Sequence, residues 1–115
     1  MRTVENISVT ERAAALLGAR KAAGSRRKGS PFVLVYMSSH TNRDGATVEG
    51  FRPGYMAMFW EHEYVGPDWF LAQPPGGMDF YYLPRPGWDA GGHYVVDAID
   101  GPLVLFSIEP IQRSA

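Results

Sequence analysis

The stretch Phe32-Val33-Leu34-Val35-Tyr36-Met37 is apolar at every position. Successive side chains of a strand leave on opposite faces, so an unbroken apolar run predicts a strand covered on both sides, at the centre of a sheet. N-terminal to it, residues 10–23 read as a helix. Thr10 is a good N-cap, Glu11 sits at the positive end of the dipole, and Ala13-Ala14-Ala15-Leu16-Leu17 have high helix propensity. Arg20 and Lys21 fall in the last turns, where cations are favoured, and Gly24 supplies the stop. Ala13, Leu16 and Leu17 make a narrow apolar stripe, which places this helix against a sheet.

C-terminal to the central run, the period is that of strands. Residues 38–50 are polar and contain Asn42-Arg43-Asp44-Gly45, a turn. Residues 55–64 read as a second strand, with Met56, Met58, Trp60, His62 and Tyr64 on one face and Tyr55, Ala57, Phe59, Glu61 and Glu63 on the other. Residues 69–72 and 78–83 read as two further strands, separated by the break Pro74-Pro75-Gly76-Gly77. Residues 93–98 and 103–108 read as a hairpin. Asp100-Gly101 resembles a two-residue turn, but Pro102 has no N–H to close it, which favours the loop 99–102. Either choice pairs Ala98 with Leu103 and Val96 with Leu105.

The fold expected is therefore α+β: one N-terminal helix packed on a mostly antiparallel, partly curled sheet of about five or six short strands. No internal repeat or boundary divides the 115 residues, so 1–115 reads as a single domain. The segment Ser25-Arg26-Arg27-Lys28-Gly29-Ser30 is a basic flexible connector within it.

Composition excludes several functions. A formal net charge of −1 provides no field for phosphate backbones or anionic membranes, so neither nucleic acid nor membrane is an expected partner. The absence of cysteine excludes disulfides, thiolate metal sites and cysteine nucleophiles. No apolar run approaches the ~20 residues that span a bilayer. The N-terminal residues lack the apolar core of a secretion signal, so a cytoplasmic location is expected. Gly50-Phe51-Arg52-Pro53-Gly54 lacks the Lys-Ser/Thr pair of a phosphate loop, and no serine has a nucleophile-elbow context.

The residues left to carry chemistry are few. His40, His62 and His93 are the candidate metal ligands, although no two have a spacing that brings them together by itself. Glu61 and Glu63 would lie about 7 Å apart along a strand, within reach of acid–base work; alternation throws His62 to the opposite face. Asp97 would share a face with His93 and lie beside Val104 and Phe106, where burial without a partner would raise its pKa. Trp69 and Trp88, flanked by Pro and Gly, read as exposed loop aromatics that either anchor a ligand or partner or plug the open end of a sandwich. Together with His62, His93 and Asp97 they are the candidate ligand-binding residues.

The segment Ile7-Ser8-Val9-Thr10-Glu11-Arg12-Ala13-Ala14-Ala15-Leu16-Leu17, followed by a loop and the strand 32–37, resembles the start of the HesB-like A-type iron–sulfur carrier family. The resemblance covers about the first third of the chain and implies a compact sandwich. It also implies cysteine ligands after the early strands and near the C-terminus. Here those regions read Ser38-Ser39-His40-Thr41-Asn42 and Glu109-Pro110-Ile111-Gln112-Arg113-Ser114-Ala115. The resemblance thus implies a scaffold from which cluster carriage is lost, with no cofactor expected.

Three functions remain open at this point. The first is a non-enzymatic binding or interaction domain for an unknown protein or small molecule, either monomeric or a homodimer, working through the loops of Trp69 and Trp88. The second is a small-ligand or metal binder built on His40, His62 and His93. The third is a small enzyme using Asp97 or Glu61 with a histidine.

Overall fold

The computed structural model describes residues 2–4, 6–24, 30–39, 41, 43–75, 77–88 and 92–111. The connector residues 25–29 and His40 lie outside them.

The central run forms β3 (Phe32–Met37), and residues 10–24 form the helix α1 (Glu11–Ala23) with its caps. The Thr10 hydroxyl accepts the Ala13 N–H at 3.3 Å, the expected N-cap. At the other end Gly24 has φ −68°, an ordinary value. Its glycine is required by packing: a Cβ there would stand 2.8 Å from the Phe59 ring. Ala13 and Leu17 are buried at 0% and 1% exposure, whereas Leu16 faces solvent.

Around β3, the described residues form one sheet of eight strands. These are β1 (Arg2–Val4), β2 (Ile7–Val9), β3, β4 (Gly54–Phe59), β5 (Phe70–Ala72), β6 (Phe80–Tyr82), β7 (Tyr94–Ile99) and β8 (Leu105–Pro110). Their order is β1-β5-β6-β3-β4-β8-β7-β2, and four of the seven pairings are antiparallel. The expected five or six strands become eight because the N-terminal residues supply two more. Arg2–Val4 pairs parallel with β5, and Ile7–Val9 pairs parallel with β7. Since β1 and β2 are the two ends of the sheet yet lie only a few residues apart, the sheet must curl almost into a barrel. Hydrogen bonds from the Gln73 N–H to the Val4 carbonyl and from the Tyr94 N–H to the Asn6 carbonyl, at 2.9 and 3.0 Å, extend these two pairings beyond the strand ends. The Asn6 side-chain amide also donates to the Gly92 carbonyl.

The concave face holds the core. Phe32, Leu34, Tyr55, Ala57, Phe80, Tyr82, Tyr94, Val96 and Phe106 pack there with Val4, Ile7 and the Ala13/Leu17 stripe. Alternation sends Val33, Val35, Met56, Met58, Leu71 and Tyr81 to the convex face.

Three expectations are corrected. The second strand ends at Phe59, not Tyr64: His62–Tyr64 forms a 3₁₀ turn in which Tyr64 and Val65 donate to the carbonyls of Glu61 and His62. Trp60 contributes to this reversal, since its ring meets those of Tyr64 and Trp69 at 5.7 and 5.5 Å. The β7–β8 hairpin has a different register: Ala98 faces Phe106 and Val96 faces Ile108, around a loop at 100–104. The longer loop accommodates Pro102 outside the ladder and brings Phe106 onto the core face opposite Tyr55. Finally, Trp69 is no exposed anchor; it is 9% exposed, and Trp88 is half-buried.

Candidate functional site

The structure places the expected site residues on different elements, with His40 outside the described residues. His62 lies exposed on the 3₁₀ turn, and His93 lies exposed just before β7, where its carbonyl accepts the Ile111 N–H at 2.8 Å. Glu61 and Glu63 are exposed, and the strand alternation expected of them does not apply beyond Phe59. Among the described residues no group of three His, Asp or Glu side chains is placed to hold a metal ion.

Asp97 has a structural task. Its carboxylate accepts the Thr10 hydroxyl at 2.7 Å, the Arg12 guanidinium through two bonds at 2.9 and 3.2 Å, and the Ala98 N–H at 2.8 Å. Thr10 thus relays between the first turn of α1 and β7. The bonds from Arg12 and then Thr10 hold the Asp97 carboxyl well below the usual carboxylate range, and the same pairing raises Arg12. A groove of about 600 Å³ opens beside this pair, lined also by Arg52, Asp100, Ser107 and Glu109. Arg12 reaches Asp100 at 3.6 Å and Arg52 reaches the Asp100 carbonyl at 3.5 Å. The two guanidinium groups of this groove stand beside three carboxylates, Asp97, Asp100 and Glu109, so no surplus positive charge is left to draw in an anion.

Trp88 is likewise structural. The segment Arg85-Pro86-Gly87-Trp88 is a tight turn in which the Trp88 N–H donates to the Arg85 carbonyl at 3.2 Å. Proline at the second position and glycine at the third with φ +89° fit a type II turn. The turn folds the indole back onto Tyr94, stacked at 3.6 Å with 10° between the rings, and against Tyr82 and Phe70.

The turn also delivers Arg85 to a second groove, of about 400 Å³. Its walls are Trp60, Trp69, Leu83, Pro84 and Pro86, and its floor is Leu34, Val35 and Tyr36. The groove reaches these residues of β3 where Leu83, Pro84 and Pro86 stand beside it, on the strand's β6 side. That side is open because β6 pairs with β3 only as far as Tyr82. Beyond it, Pro84 and Pro86 fix φ near −65° where a parallel strand needs about −120°, so the chain leaves the sheet. The Arg85 guanidinium lies 3.8 Å over the Tyr36 ring, and Tyr36 meets Tyr55 edge-on at 5.3 Å. Burial pushes the Tyr55 phenol up to about 12 against a smaller opposing pull from Arg85, so it stays neutral.

Trp69 is the one residue of this groove that the sequence pattern singles out; Tyr36, Trp60, Leu83 and Arg85 join it only in the fold. The available signal was the lone cation in Pro84-Arg85-Pro86-Gly87: a Pro-Gly turn holds the preceding residue in one place. Comparison with protein families, curated proteins and solved structures finds no match for this chain.

Proposed function

We propose that the protein is a non-enzymatic binding domain, and that its ligand site is the groove between β3 and the departing β6. The observation that carries this reading is the combination of apolar and aromatic walls with a single cation. Among the described residues lining the groove, Arg85 is the only charged one. Ligand sites are commonly concave and mostly apolar, with a few polar groups that fix orientation. A guanidinium already stacked on an aromatic ring is preorganised, so little side-chain freedom is lost when an anion pairs with it. Trp60, half-buried and braced at 5.5 Å against the buried Trp69, offers an apolar surface beside it.

The reading favours an apolar body carrying a negative charge. A HesB-like ancestry for residues 7–37 is compatible with it, as a scaffold put to a use that needs no cluster ligands.

The test uses 8-anilinonaphthalene-1-sulfonate, an aromatic anion whose fluorescence rises on entering an apolar site. The folded protein should bind it at one saturable site. Arg85→Ala and Trp60→Ala should each weaken binding about tenfold, which corresponds to ~1.4 kcal/mol, while the far-UV spectrum stays unchanged. Equal binding by wild type and Arg85→Ala would contradict the assignment.

A further inference from the structure

We infer that the natural occupant of this groove is an extended acidic peptide segment that adds to β3 as a strand; the inference rests on the reading of the groove as a ligand site and names its ligand class. Antiparallel neighbours alternate between pairs that exchange hydrogen bonds and pairs that do not. The Trp60 N–H donates to the Pro31 carbonyl at 3.1 Å, which makes that pair a hydrogen-bonded one. Along the same register Val33–Met58, Val35–Met56 and Met37–Gly54 are then the pairs that bond across to β4. Phe32, Leu34 and Tyr36 must therefore direct their N–H and C=O groups to the opposite side of β3. Leu34 meets β6 there, but at Tyr36 the ladder has ended. Tyr36 thus offers a backbone donor and acceptor to the floor of the groove, the arrangement that an added strand uses.

The length and the side-chain chemistry agree with a peptide. The free part of β3, from Val35 to Met37, extends about 10 Å at the usual strand rise, enough for three to five residues of a partner strand. Alternate side chains of that strand would face the two sides of the sheet in turn. On the convex side they meet Val35 and Trp60, and on the other side Tyr36 with Arg85 stacked on it. The matching sequence alternates apolar with acidic residues.

The experiment titrates the full chain by calorimetry with capped pentapeptides. One alternates valine with glutamate, a second alternates valine with lysine, and two more are the valine–glutamate peptide N-methylated at one or the other of two adjacent central amides. The valine–glutamate peptide should bind, and the lysine peptide should bind at least tenfold more weakly. Arg85→Ala should lose about tenfold for the glutamate peptide only. Just one of the two N-methylations should abolish binding, because adjacent amides of a strand point to opposite sides. If the sulfonate probe binds but no peptide does, or both methylations act equally, strand addition is overturned while the ligand site stands. If neither probe nor peptide binds, both readings fall. A chain that sediments as a dimer at these concentrations, with Tyr36 protected in the interface, also overturns the inference, since a second copy then occupies the groove.

Discussion

The curled sheet has two places where its strands fail to meet their obvious neighbours, and the chain treats them differently. At the seam between β5 and β7, β1 and β2 occupy the gap and pair with one side each. Between β3 and β6, a comparable gap opens after Tyr82 and is left unfilled by the described residues. The difference follows from the two segments themselves. Residues 2–9 contain no proline, and each of their two strands turns a residue, Val4 or Ile7, into the core at 7% and 2% exposure. Leu83-Pro84-Arg85-Pro86 cannot hold strand dihedrals, its Leu83 is 43% exposed, and it ends in a turn that sends Trp88 to the core. A closed gap is part of the stability of the fold, and an open one with a cation at its rim is available for binding.

Breaking the closed gap should have the largest effect. Ile7→Ala removes a buried side chain that holds β2 opposite Tyr94, and should cost about 2–4 kcal/mol in urea unfolding. The two tryptophans then separate the regions. Trp88→Ala should cost about 2–3 kcal/mol through its stack on Tyr94, while Trp60→Ala should cost less and act mainly on probe affinity. If Trp60→Ala is the more destabilising of the two, the assignment of roles is reversed.

Closing the open gap sharpens the contrast from the other side. Pro84→Val with Pro86→Val restores residues that adopt strand dihedrals, so β6 can continue along β3 and occupy the side of Tyr36. Probe and peptide affinity should fall about tenfold or more, with stability equal to or above wild type. Loss of binding accompanied by loss of fold would not support this account.

The smallest effect concerns Asp97, which ties α1 to β7 at a solvent-facing site. Its folded carboxyl lies below the ordinary range, so its contribution to stability is present above the ordinary carboxylate value and is lost as pH falls toward the folded value. The stability difference between wild type and Asp97→Asn should be full at neutral pH and shrink as pH drops below about 4. With side-chain exposures of 36% for Asp97 and 55% for Arg12, salt should reduce the difference as well. A difference that grows in acid would contradict the pairing.

Those parts of the fold governed by local chemistry are legible in the amino-acid sequence. The capped helix, the central position of β3 and the existence of the β7–β8 hairpin all follow from neighbouring residues. The seam is not legible there. Arg2–Val4 and Ile7–Val9 are three residues each, and only their distant partners in β5 and β7 make them strands. The hairpin register differs from expectation because turn chemistry near Pro102 says nothing of the core's demand for Phe106 opposite Tyr55. The candidate site is less legible still, because Tyr36, Trp60, Leu83 and Arg85 come together only through the divergence of β6 from β3. Asp97 stands out as an unusual carboxylate, but its partners Thr10 and Arg12 lie at the far end of the sequence.

The central claim is that Tyr36 presents its backbone to an open groove, and amide hydrogen exchange of the free protein tests it most directly. The account predicts that the Tyr36 amide exchanges much faster than those of Leu34 and Val35, and that the valine–glutamate pentapeptide slows it toward theirs. A Tyr36 amide already as protected as Leu34 in the free chain would contradict the account, because the side of β3 taken to be open would then be closed.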